Sequence, residues 1–244
     1  MKKPLKIKVN KAGSSGRHSV TKSASPLAKG PRGRPPIYSR NDILQVAKTA
    51  FSKSGYANVS LDNLAAKLKT GKGTLYYHSI RKVDLLISIS RAIIGASIAE
   101  LRRIHKLKVP PDVQFVMAFR SHMGSILSDI QSAKIYFENE ADLPLPIRNE
   151  LGAVMREIEN IFIAIAEEGV RAGVFKRDPR MAIRHVMAVC AWPYRWYLPG
   201  GLLSRDEFID NAADFALSAL RAESSLKSVM FPEAPFSKAP RNAD

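Results

Sequence analysis

Apolar residues recur at helical spacing along most of this chain, and the strict alternation that marks a half-buried strand is absent. From Asn41 to Ser54, Ile43, Leu44, Ala47, Ala50 and Phe51 share one face, and Gly55 supplies a stop. Leu61, Leu64, Ala65 and Leu68 repeat the pattern over a shorter stretch that Ser60 is placed to cap, with Tyr56 and Val59 expected to pack beneath. Lys69, Thr70 and Gly71 interrupt it, and a very short helix is predicted over residues 72–78. If Leu75 points into the core, Gly73 and Tyr77 lie opposite it and Thr74 and Tyr76 flank them. A long helix follows from about Lys82 to Leu107, ended by Pro110-Pro111. Further helices are predicted near residues 112–131, 133–140, 146–172, 179–198 and 205–223. The expected fold class is all-α.

Charge divides the chain in two. Residues 1–91 hold 19 lysines and arginines against three acids, so the whole net charge of +16 lies there and the remainder is neutral. A polyanion-binding front end on a neutral body is the simplest reading, against a basic tail that only aids solubility. Residues 1–38 contain five prolines, four glycines and no acid, which predicts a disordered basic tail. Within it Pro31-Arg32-Gly33-Arg34-Pro35 resembles the core of an AT-hook, in which Arg32 and Arg34 would enter an A/T-rich minor groove. A flexible linker with incidental arginines is the bland alternative. Residues 224–244, broken at Pro232, Pro235 and Pro240, read as a mobile tail. The 45% apolar content supports a real core, and the lone Cys190 suits a reducing cytoplasm. No stretch approaches the roughly 20 apolar residues of a membrane span, so a soluble, cytoplasmic protein without membrane partners is expected.

The outer side of the short helix 72–78 offers a lysine, a bare backbone, a hydroxyl and two phenols, a surface suited to phosphates and base edges. Its KGTLYYH run, followed by Lys82, Asp84, Leu85 and Leu86 as K-x-D-L-L, resembles the DNA-binding signature of the tetracycline-repressor (TetR) family of bacterial transcription regulators. The chain departs from that pattern at Lys69, where a turn glycine is usual, at Gly71, often a serine, and at Ser79, usually aromatic. The resemblance implies a three-helix DNA-binding domain over residues 39–86 and a helical regulatory and dimerisation domain over 87–223. It implies that Thr74, Tyr76, Tyr77, His78 and Lys82 hold phosphates while Lys72 and the Gly73 backbone approach bases, with Ser60 in the same set. It also implies a homodimer on a pseudo-palindromic double-stranded operator, joined through the last two helices. Their apolar faces use Ala182, Val186, Val189, Phe208, Ala212, Phe215 and Ala219, although a monomeric core would produce the same stripes.

In the second half, Gly173-Val174-Phe175, Asp178-Pro179-Arg180 and AWPYRWYLPGG (Ala191 to Gly201) resemble a subgroup of that family that senses acyl-CoA thioesters, fatty acids or steroid-derived CoA esters. Phe115, Phe119, Met123, Phe137, Phe162, Trp192 and Trp196 are the candidate lining of an effector cavity, with ordinary core packing as the plainer alternative for each. Arg195 is a candidate for a CoA phosphate or carboxylate, or equally a surface arginine or a partner of Glu167 or Asp206. His122 and His185 lack metal-ligand spacing and read as structural. Cys190 and His185 point about 140° apart on one helix, a poor dyad, and no phosphate loop, metal cluster or cofactor motif appears. The function expected is therefore a ligand-responsive regulator rather than an enzyme, most simply a repressor, which is the family's usual mode. The alternative is a sequence-indifferent architectural binder of A/T-rich DNA driven by the tail.

Overall fold

In the computed structural model, which describes residues 38–70, 75, 80–175 and 178–221, Ser39 opens the first helix, α1 (Arg40–Ser54). Its hydroxyl accepts from the Asp42 amide at 3.2 Å while the Asp42 carboxylate accepts from the Ser39 amide at 2.8 Å, a reciprocal cap. Ile43, Ala47, Ala50 and Phe51 are buried as their spacing predicts, and Gly55 ends the helix at φ 79°. Ser60 and Asn63 cap α2 (Leu61–Lys67) in the same reciprocal way. This helix ends in a Schellman motif: the Thr70 amide donates to Ala65 O at 3.1 Å and the Lys69 amide to Ala66 O at 3.0 Å. Lys69 thereby takes φ 52°, the only positive value at a non-glycine among the described residues. A side chain there costs energy that glycine avoids. Lys69→Gly is therefore expected to raise unfolding free energy by about 1 kcal/mol, read from a urea curve, although it removes a charge from the basic front.

The long helix expected over residues 82–107 is broken. α3 (Lys82–Gly95) and α4 (Ile98–His105) meet at Ala96-Ser97. Gly95 is a poor helix former, the Ala96 amide bonds back only three residues to Ile93 O, and the Ser97 hydroxyl turns inward to His122 Nδ1 at 2.9 Å. α5 (Pro111–Ser128) and α6 (Ile130–Asn139) follow, then a 3-10 turn at Glu140–Asp142 and the longest helix, α7 (Leu145–Arg171). The helix expected over 179–198 stops early, as α8 (Pro179–Ala191). Pro193 cannot donate to the preceding turn, and Trp192–Arg195 tighten into a 3-10 turn. α9 (Arg205–Arg221) completes the described chain, which is all-α among the described residues.

The described residues fall in one compact unit, and the domain boundary expected near residue 86 lies inside α3. α5 sits at the centre, packed by α4, α6, α7, α8 and α9. Phe115 on α5 collects Phe119, Phe162 and Phe175 with ring centroids at 6.3, 5.9 and 6.0 Å, the latter two edge-on. Gly169 on α7 makes room for this cluster, since a Cβ there would stand 2.1 Å from Phe175 Cδ2.

Candidate nucleic-acid interface and effector cavity

The residues expected to meet DNA fall mostly outside the described set: Arg32, Arg34, Lys72, Gly73, Thr74, Tyr76, Tyr77 and His78. Leu75 is described, and at 1% exposure it is the inward anchor that the spacing requires. Its carbonyl accepts from the Ile80 amide at 3.3 Å. Ser60 spends its hydroxyl on the α2 cap. Lys82 also has internal partners, since its ammonium donates to Ala57 O at 3.2 Å and lies 4.1 Å over the Tyr56 ring. Burial holds this ammonium below the ordinary lysine pKa, against the pull of Asp142. Asp84 caps α3 through the Arg81 amide at 2.9 Å and holds the Arg81 guanidinium in a two-pronged pair, which keeps its carboxyl below the ordinary value. Leu85 and Leu86 are core. Lys82, Asp84, Leu85 and Leu86 of the K-x-D-L-L pattern thus fix how α3 leaves the N-terminal helices.

That front is tied to the body through α6. Lys48 on α1 pairs with Asp129 at 3.0 Å, and Lys134 on α6 donates to Ser52 O at 3.3 Å. Asp129 simultaneously caps α6 through the Ser132 amide and hydroxyl. Burial raises the Asp129 carboxyl, but hydrogen bonds from Lys48 and Ser132 outweigh it and leave the pKa below the ordinary value. Nothing in the sequence marks a pair 81 residues apart. Because Asp129 is partly exposed, Lys48→Ala should cost at most about 1 kcal/mol. Asp129→Ala should cost roughly 1 kcal/mol more, since it also removes the cap. Equal losses in chemical denaturation would show the cap to be idle.

The expected cavity residues separate into three settings. Phe115, Phe119, Met123 and Phe162 are fully buried in the packed core around α5. Trp192 and Trp196 are each 58% exposed, and Arg195 lies outside with its guanidinium over Trp192 and Tyr194 at 5.4 and 5.8 Å. Of its two expected acidic partners, Glu167 pairs with Arg180 and Asp206 with Arg205. Only Phe137 lines an interior cavity, together with Ile93 and Ile94 from α3, His122 from α5, Met155 from α7 and Met187 from α8. This space is about 20 Å³, room for roughly one water. Phe137 also stacks on Tyr194 at 5.4 Å, so one ring separates the cavity from the Trp192–Arg195 turn. The sequence reading missed the isoleucines and methionines of the wall, which carry no chemical mark that separates lining from core.

The residues expected at the dimer face divide by burial. Ala182, Val186 and Phe208 are buried in the chain's own core. Val189, Ala212 and Ala219 are half-buried, and Phe215 is 62% exposed. The outward apolar surface of this end is carried by Met181, Trp192, Trp196, Leu202 and Phe215. Cys190 is buried, which pushes its thiol pKa far up, whereas His185 is exposed, so the two form no nucleophilic pair. No group of three or more His, Cys, Asp or Glu able to hold a metal occurs among the described residues, and no described helix is long and apolar enough to cross a membrane.

Residues 43–89 match the family model of bacterial regulatory proteins, tetR family, and residues 108–220 match that of the tetracyclin repressor-like C-terminal domain. The chain is similar to the HTH-type transcriptional repressor KstR2 of Mycolicibacterium smegmatis, 23% identical over 175 residues that span 70% of this chain and 85% of that protein. It is similar to the fatty acid metabolism regulator protein of Bacillus subtilis, 22% identical over 142 residues, 57% of this chain and 73% of that one. Its fold is similar to the crystal structure of AibR in complex with isovaleryl coenzyme A and operator DNA, at TM-score 0.60 and 20% identity, covering 74% of this chain and 97% of that one.

Proposed function

This chain belongs to the tetracycline-repressor family of bacterial regulators, and from that premise we propose that it is a repressor that binds a pseudo-palindromic operator as a dimer and releases it on binding an acyl-CoA thioester or fatty acid. The observation that carries the reading is the position of α6. One end of this helix is tied to α1 by Lys48–Asp129 and Lys134–Ser52, and its Phe137 forms a wall of the apolar cavity. The names of the relatives, one a fatty acid metabolism regulator and one bound to isovaleryl coenzyme A, support the effector class.

In this reading the two DNA-binding fronts sit about one helical turn apart, with Lys72 and the Gly73 backbone at base edges. Thr74, Tyr76, Tyr77 and His78 hold phosphates, and Arg32 and Arg34 of the basic tail add nonspecific contacts. Ser60 and Lys82 act mainly by shaping the front, through the α2 cap and the Ala57 clamp. The acyl chain occupies the space between α3, α5, α6, α7 and α8. The packed core of Phe115, Phe119, Met123 and Phe162 borders it behind His122, and the Phe137–Tyr194 stack is its gate. Trp192, Arg195 and Trp196 lie outside that gate, where a ring and a cation suit the adenine and phosphates of coenzyme A. A space of about 20 Å³ admits no acyl chain, so the effector selects an expanded conformation. Displacing Phe137 shifts α6, and the ion pair and hydrogen bond carry the shift to α1 and change the spacing of the two fronts. The protein works in the cytoplasm, by binding and not by catalysis.

Titration calorimetry of the full chain with an acyl-CoA series tests the effector class. Binding that strengthens with chain length, with free coenzyme A far weaker, is expected. Equal binding of free coenzyme A would remove the acyl-cavity reading.

A further inference from the structure

Resting on that effector reading, we infer that the buried Ser97–His122 pair is the subsite that recognises the carbonyl oxygen of the bound acyl group. His122 is 5% exposed and, among the residues lining the cavity, it alone carries a side chain able to donate a hydrogen bond. Its Nδ1 lies 2.9 Å from Ser97 Oγ, and Phe162 covers the ring edge-on at 6.0 Å. No other side-chain hydrogen bond is made by either residue. The pair holds two polar hydrogens, one on the hydroxyl and one on the imidazole, and only one can lie between them. In either tautomer one hydrogen is left over and can be offered to an acceptor that enters the cavity.

The surroundings point the same way. The ring stays neutral near pH 7 because burial lowers its pKa to about 4, so it presents a hydrogen bond and not a charge. The walls beside it are the unbranched side chains of Met155 and Met187, which re-pack readily around an incoming chain. Ser97 stands at the break between α3 and α4, so engagement of the pair acts on the helix that leaves the DNA-binding front.

The test compares decanoyl-CoA with S-decyl-CoA, its thioether analogue without the carbonyl, and with free decanoate, by calorimetry on the full chain. The wild type is expected to bind decanoyl-CoA about tenfold tighter than the thioether, a gap that corresponds to one hydrogen bond. His122→Phe should close the gap by weakening only decanoyl-CoA, and His122→Gln, which keeps a donor, should restore part of it. Should His122→Phe fail to fold, Ser97→Ala must still narrow the gap at least twofold. In His122→Phe, loss confined to decanoyl-CoA supports the assignment, and loss confined to decanoate, which marks a carboxylate as the recognised group, overturns it. Equal wild-type binding of thioester and thioether, or a gap that survives His122→Phe, overturns it while leaving the effector class intact. Failure of all three compounds to bind would overturn the effector reading and this subsite with it.

Discussion

Phe162→Ala should lower the unfolding free energy by about 3–5 kcal/mol, the range for deleting a buried aromatic that the surroundings cannot fill. Phe162 is fully buried near the middle of α7, edge-on to Phe115 at 5.9 Å and to His122 at 6.0 Å. Its neighbours on α5 are themselves fixed by four other helices, so collapse into the gap is restricted. Urea denaturation at constant m-value measures the loss. A cost below about 1 kcal/mol would mean that this part of the body is loosely packed and that the cavity beside His122 extends under Phe162. The same experiment on Phe137→Ala should show a smaller loss, because Phe137 is only half-buried.

Tyr77→Ala and Lys72→Ala should each weaken operator binding by about 1–3 kcal/mol, roughly 5- to 150-fold. Leu75 fixes the phase of this short segment, and a helix with Leu75 inward sets Tyr77 opposite. The two losses differ in kind. Lys72→Ala should relax discrimination between operator and mismatched DNA, whereas removing residues 1–34 should mainly lower affinity for all DNA and flatten its salt dependence. Fluorescence anisotropy across a salt series separates them. Wild-type affinity in Tyr77→Ala would remove the helix-turn-helix assignment.

The local features of this fold were legible because their causes are local. The stripe from Ile43 to Phe51, the Ser60 cap, the inward Leu75 and the strained turn at Lys69 each depend on residues within a few positions. The break at Ser97 was marked only by Gly95, a weak signal in a long apolar run, and the Ser97–His122 contact that accompanies it joins residues 25 apart. The early end of α8 was marked by Pro193, but the apolar run on either side of it masked the signal. The stripe expected at the dimer face mixes two sides of α8 and α9: Ala182, Val186 and Phe208 serve the chain's own core, whereas Val189, Ala212, Phe215 and Ala219 keep exposure. Of the six aromatics expected at the cavity, Phe115, Phe119 and Phe162 are core because aromatic side chains fill interiors well, Trp192 and Trp196 are exposed, and Phe137 alone lines it. Ile93, Ile94, Met155 and Met187 are further parts of the wall, and its one polar side chain is His122.

The most direct measurement is a nuclease footprint of the full chain on the promoter region flanking its own gene, with and without saturating decanoyl-CoA. A dimeric, effector-released repressor protects two inverted half-sites about one DNA turn, or a multiple of it, apart, and loses that protection when the thioester is added. Diffuse A/T-biased protection that decanoyl-CoA leaves unchanged would contradict this reading and favour an architectural DNA binder driven by the basic tail.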